Sequence, residues 1–81
     1  MKLVELTEFL VKNIAKNPDM VSVKQFDDED DCIIIQVMVD NSDMGAVIGS
    51  HGKIANAIRT IVQASAYINN EKKVRINIDS F

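Results

Sequence analysis

Cys32 to Val39 is the stretch that most narrows what this chain can fold into, because seven of its eight residues are apolar and most of those are β-branched. A run of that kind reads as a strand buried on both faces at the centre of a sheet. The segments around it supply what such a strand needs. From Leu3 to Asn17 the polar residues Glu5, Glu8, Lys12 and Lys16 fall three and four apart, leaving Leu3, Leu6, Leu10 and Ile14 on the opposite face of an amphipathic helix. Asn17-Pro18-Asp19 ends that helix, because proline disfavours helical geometry in the residue before it. Met20 to Phe26 then reads as a half-buried strand, joined to the central one through the acidic turn Asp27 to Asp31.

Beyond the central strand, Asp40-Asn41-Ser42-Asp43 offers capping side chains for a short helix, Met44 to Ile48, that stops at Gly49. A longer helix follows Gly52 to about Tyr67, with Ile54, Ala57, Ile58, Ile61, Val62 and Ile68 at the spacing of an inward face. Val74 to Asp79 alternates apolar and polar residues as a half-exposed strand does. The order is αββααβ. Two helices between the second and third strands allow a right-handed crossover that sets them parallel, whereas a five-residue turn favours an antiparallel first pair. The expected architecture is α+β, with a three-stranded mixed sheet and three helices on one face. With 81 residues and no linker or repeat, the chain reads as one domain, 1–81.

The chemistry concentrates in Val47-Ile48-Gly49-Ser50-His51-Gly52-Lys53-Ile54, a Gly-x-x-Gly turn between two helices with an apolar residue on each flank. Glycines three apart allow positive φ angles and close approach of another chain, and the N–H groups that open the next helix attract an anion. A phosphate backbone fits that description. A helix C-cap followed by a tight joint between helices fits it equally well.

Set in an αββααβ chain of this length, Ile48-Gly49-Ser50-His51-Gly52-Lys53-Ile54 resembles the signature of the KH domain in its type II topology, whose loop clamps about four nucleotides by their backbone. Asn17-Pro18-Asp19, Asp43-Met44-Gly45 and Ala57-Ile58-Arg59-Thr60 extend the likeness to the small bacterial KH proteins of the KhpA family, over essentially the whole chain. The resemblance implies single-stranded RNA binding and a role as RNA chaperone or post-transcriptional regulator, with effects on cell-envelope growth and cell length. It implies a homodimer, or pairing with a larger KH-containing protein of the KhpB type. It also implies that Gly49 and Gly52 shape the loop, that Ser50 and His51 form its tip, and that Lys53 opens the following helix. Ile48, Ile54, Arg59 and Arg75 become candidate contacts to bases or backbone beside it.

Charge sharpens this expectation. The chain carries a formal −3, an awkward sum for a polyanion binder. Up to Met44 there are four lysines against ten acids, and from Gly45 onward five cations against two acids, so the halves stand at −6 and +3. Five of the acids fall in the Asp27–Asp31 turn, which lacks the mid-loop glycine and distal glutamate of a calcium loop and reads as a solvated tip that keeps RNA off the wrong face.

Catalysis finds no constellation. One histidine serves the whole chain and has no carboxylate beside it in sequence, and one cysteine with one histidine cannot make a zinc site. No cofactor or metal is expected. Cys32 reads as a small apolar residue in a reducing compartment, and the absence of a leader or a long apolar run points to the cytoplasm and away from membranes. Phe9, Phe26, Tyr67 and Phe81 are too scattered for an aromatic platform, so base recognition is assigned to aliphatic surface and hydrogen bonds. A competing reading keeps the KH shape for protein contact alone, with Ala46, Val47 and Ile48 as dimer contacts.

The loop tip lacks the lysine or arginine that relatives commonly carry, so one copy alone is expected to bind weakly. Histidine replaces that charge only when protonated, which lower pH favours. Affinity for single-stranded RNA is therefore expected to rise as pH falls from about 7.5 to 6, a trend that fluorescence anisotropy reads directly. A flat profile contradicts it.

Overall fold

The computed structural model describes residues 2–27 and 31–81. Helix α1 (Leu3–Ile14) is followed by strands β1 (Ser22–Asp27) and β2 (Cys32–Val39), helices α2 (Met44–Ile48) and α3 (Lys53–Ile68), and strand β3 (Lys73–Ser80). The strand order is β1-β2-β3, with β1 antiparallel and β3 parallel to β2. The element order, the mixed sheet and the central place of β2 are those expected from the sequence. The middle of the acidic turn, Asp28, Glu29 and Asp30, lies outside the described residues.

The core is one face of the sheet against the helices. Ile33, Ile35, Val37 and Val39 of β2 and Ile76 of β3 are buried with Leu3 and Val11 of α1, Val47 of α2, and Ile58, Val62 and Ala66 of α3. Among the described residues no helix covers the other face, so β2 is buried on one side and only half-buried along Ile34, Gln36 and Met38. This corrects the expectation of burial on both faces. All three helices lie on one side, and a strand with seven apolar residues in eight then exceeds what one layer of helices can cover.

The helices differ from the sequence expectation in two instructive ways. Helix α1 ends at Ile14, short of Asn17, because the Lys16 and Asn17 N–H groups leave the helical ladder and donate to the Asp43 carboxylate at 2.9 and 3.0 Å. Pro18–Met20 then makes a 3₁₀ turn, which delays β1 to Ser22. In α3 the buried residues are Ala55, Ile58, Val62 and Ala66, whereas Ile54, Ile61 and Ile68 are 39, 47 and 81% exposed. The two stripes overlap in sequence. Alanines at both ends of the inner one let the helix lie close to its neighbours and turn the isoleucines outward.

Asp43 is the one buried carboxylate among the described residues. Besides the two backbone donors it accepts a bond from the Asn17 amide at 3.2 Å. The Lys16 N–H is the main cause holding its pKa below the ordinary carboxylate value; burial opposes the shift, and the Asn17 donors and the Lys16 charge add to it. A carboxyl whose folded pKa is depressed stabilises the fold above its unfolded value, about 3.9, and that stabilisation fades as pH falls through the folded value. Asp43→Asn is expected to lower the urea midpoint at pH 7 and to flatten its dependence on pH below about 5. An unchanged acid limb contradicts the assignment.

Candidate functional site

The Gly-x-x-Gly segment sits between α2 and α3 as a tight turn over Ser50–Gly52 that interrupts the helical path at His51. Gly49 adopts φ 78°, ψ 173°, a conformation open essentially to glycine alone. A Cβ there would come within 2.9 Å of the Ile54 N and Cβ, and closer still to its Cγ1. Glycine is thus required twice over, for backbone angle and for the approach of α3. His51 (φ 56°, ψ 26°) and Gly52 (φ 75°, ψ 14°) are successive left-handed residues. A Cβ on Gly52 would meet only the Asn56 amide, at 3.9 Å, so that glycine answers to angle alone.

The exposed tip is Ser50 and His51, and Lys53 stands exposed at the start of α3. The Gly52 N–H is held by the Gly49 carbonyl at 3.2 Å and the Lys53 N–H by Ser50. No side chain caps α3, so an anion at the loop can serve its first turn. Ile48, half-buried, and Ile54, partly exposed, flank the turn on either side.

From the loop, α3 runs beside the outer edge of β3, and between them lies an open groove of about 440 Å³ lined by Arg59, Thr60, Gln63, Ala64, Tyr67 and Val74. Two side chains of α3 reach the strand edge. Arg59 donates to the Ile76 carbonyl from Nε and from a terminal nitrogen, both at 3.3 Å, and also to Asn56 Oδ1 at 3.2 Å. Gln63 Oε1 accepts the Val74 N–H at 2.9 Å, which fixes the amide's orientation and leaves its buried Nε2 without a partner among the described residues. An edge strand ordinarily exposes its backbone groups to any passing strand. Here Arg59 and Gln63 occupy two of them, and both line the groove.

Of the sequence candidates, Ile48, Gly49, Ser50, His51, Gly52, Lys53 and Ile54 make up the turn and its flanks, and Arg59 lines the groove further along α3. Arg75 does not join it: the alternation of β3 sends it to the open face of the sheet, opposite the buried Ile76. Val47 is fully buried, which removes it from the proposed dimer contacts. Gln63 and Tyr67 were not singled out from sequence; both lie at helical spacing from Arg59, but only the packing of α3 on β3 tells which side of the helix meets the strand. Tyr67, 65% exposed on the groove wall, adds an aromatic ring to the aliphatic surface and hydrogen-bonding groups expected from the sequence.

Comparison with known proteins covers nearly the whole chain. A family model described as the KH domain of KhpA/KhpB matches residues 4–78. The RNA-binding protein KhpA of Clostridium perfringens is 43% identical over 70 residues, covering 86% of this chain and 92% of that protein. The RNA-binding protein KhpA of Caldanaerobacter subterraneus is 42% identical over 74 residues, covering 91% of this chain and 96% of that protein. Among solved structures, Aquifex aeolicus Era bound to GDP·AlF4⁻ superposes with a TM-score of 0.67 at 13% identity, over 98% of this chain and 30% of that one. Era in complex with MgGDPNP and a segment of 16S ribosomal RNA superposes with a TM-score of 0.64 at 15% identity, over 96% of this chain and 29% of that one. At those identities the likeness is one of fold.

The two glycines differ in a measurable way. Gly49→Ala is expected to cost about 1–3 kcal/mol in backbone strain, with displacement of Ile54 in addition, and Gly52→Ala only about 1–2 kcal/mol. Urea denaturation of both variants checks the order. Equal costs contradict the role given to the Gly49–Ile54 contact.

Proposed function

The chain belongs to the KhpA/KhpB KH-domain family, and on that premise we propose that it binds single-stranded RNA through the Gly49–Gly52 turn and the adjoining groove. The observation that carries the reading is the loop itself. Gly49 and Gly52 bend the backbone outward, Ser50 and His51 offer a hydroxyl and an imidazole at the tip, and Lys53 adds a fixed charge one residue on. A phosphodiester laid on this turn meets donors on its anionic oxygens, while its bases face the groove. There Tyr67 offers a ring to stack on, and Ile54 offers aliphatic surface nearer the turn.

In this reading the protein is a cytoplasmic RNA chaperone or post-transcriptional regulator, acting on cell-envelope homeostasis and cell length as part of a pair. Among the described residues no helix is long and apolar enough to cross a membrane. Association has its own surface: Ile61 and Ile68, seven residues apart and outside the groove lining, stand exposed in an apolar line along α3. That line is where a second copy, or a KhpB-type protein, is proposed to dock, in place of the buried Val47. Two linked sites raise overall affinity by about two to four orders of magnitude, which offsets a weakly charged loop.

Replacing Ser50 and His51 together by aspartate tests the clamp, because it sets two negative charges where phosphate would lie and leaves the glycines and core untouched. RNA affinity is expected to fall on the order of 100-fold, as like charges brought together cost several kcal/mol, with the circular-dichroism melt unchanged. Undiminished RNA crosslinking contradicts the clamp. Loss of self-association with RNA binding intact favours protein docking as the loop's task.

A further inference from the structure

The loop and groove use only part of the positive charge that follows Gly45. Lys53 and Arg59 belong to them, Lys72 pairs with Asp31 at 3.3 Å, and Lys73 and Arg75 lie elsewhere. Strand register shows where. Residues whose neighbours are buried against the helices point the opposite way, so Lys24 and Phe26 of β1, Ile34 and Gln36 of β2, and Lys73 and Arg75 of β3 share the open face of the sheet.

The pairing orders them into rows. Phe26, Ile34 and Arg75 form one row, and Lys24, Gln36 and Asn77 form the next. The ring of Phe26 is 53% exposed. Lys24, Lys73 and Arg75 are exposed, and among the described residues none of them forms an ion pair. Asp79 is the one acid sharing this face among the described residues; Asp27 is turned to the helix side and Asp31 is held by Lys72. In a chain of formal charge −3, this face thus carries, among the described residues, three cations against one acid around an exposed aromatic ring.

We propose that this open sheet face is a second contact surface for single-stranded RNA, reached by the strand that leaves the groove and passes over the β3 edge. The inference rests on the reading of the loop and groove as an RNA site. Continuity supports it: Val74 and Ile76 meet α3 at the groove, and Arg75 between them faces the other way. A strand crossing that edge meets Arg75 first. Phe26 stands across the sheet at about 10 Å, two strand spacings away. Phosphates then take the cations and a base takes the Phe26 ring, an arrangement that is tolerant of sequence. The footprint is longer than the four or so nucleotides held by the loop.

Anisotropy titrations with fluorescein-labelled U5 and U12 test this on the full chain. The native protein is expected to bind U12 more tightly than U5. Lys24→Gln, Lys73→Gln and Arg75→Gln combined should leave U5 unaffected, weaken U12, and reduce the magnitude of the U12 salt slope by about 2, at about 0.7 for each phosphate no longer neutralised. Phe26→Ala alone is expected to weaken U12 by about tenfold. All four side chains are exposed, and a circular-dichroism melt verifies that the variants fold. A triple variant with unchanged U12 affinity and salt slope overturns the proposal, as does an equal loss for U5 and U12. Intact U12 binding with lost self-association assigns the face to a second copy and overturns it too. If the Ser50/His51 aspartate variant still binds U5, the loop reading fails, and the U12 arm decides the sheet face independently.

Discussion

The Asp43 carboxylate is the contact on which the placement of the loop depends. Helix α2 has five residues, too few to persist as a helix unless its neighbours hold it. Its inner side is fixed by Val47 in the core. Its start is fixed by Asp43, which binds the chain leaving α1 through three donors from Lys16 and Asn17. The end of α1 and the beginning of α2 are thereby held to one another, and the Gly49 turn projects from a braced element. At its far side Gly49 admits Ile54 at a distance no side chain permits, which sets where α3 begins. A carboxylate at one end and a missing Cβ at the other define the geometry of the turn.

Much of this was legible in the sequence, and where it was not the reasons are physical. The six elements and their order follow from periodicity, and the mixed sheet follows from connection length. Asn17 and Asp43, 26 residues apart, were each singled out locally, one as a helix terminator and one as a cap. Their bond to each other is tertiary and leaves no local mark. Helix α3 shows a further limit of periodicity. Ile54, Ile61 and Ile68 satisfy the same spacing as Ala55, Ile58, Val62 and Ala66, and hydrophobicity alone favours the larger residues for the core. Packing chose the smaller set.

Of the candidate site, the loop residues were readable because glycine at positive φ is a local requirement. Arg59 was readable as a charge near the loop, though not as the group that occupies the β3 edge. Gln63 and Tyr67 were invisible because a groove belongs to two elements at once. Arg75, a candidate contact beside the loop in the sequence, lies on the open face of the sheet, since a one-residue step along a strand reverses a side chain. The charge imbalance between the chain's halves likewise divides in three dimensions: part stands at the loop, part on the open sheet, and Lys72 on the acidic side chain of Asp31.

The central claim is that RNA is held at the Gly49–Gly52 turn, and amide chemical shifts report on its residues one by one. An ¹⁵N–¹H correlation spectrum titrated with U5 is predicted to shift the amides of Gly49 through Ala55 most, with smaller changes at Gln63 and Tyr67 along the groove. Changes confined to the Ile61–Ile68 flank of α3, with the turn unmoved, would contradict it.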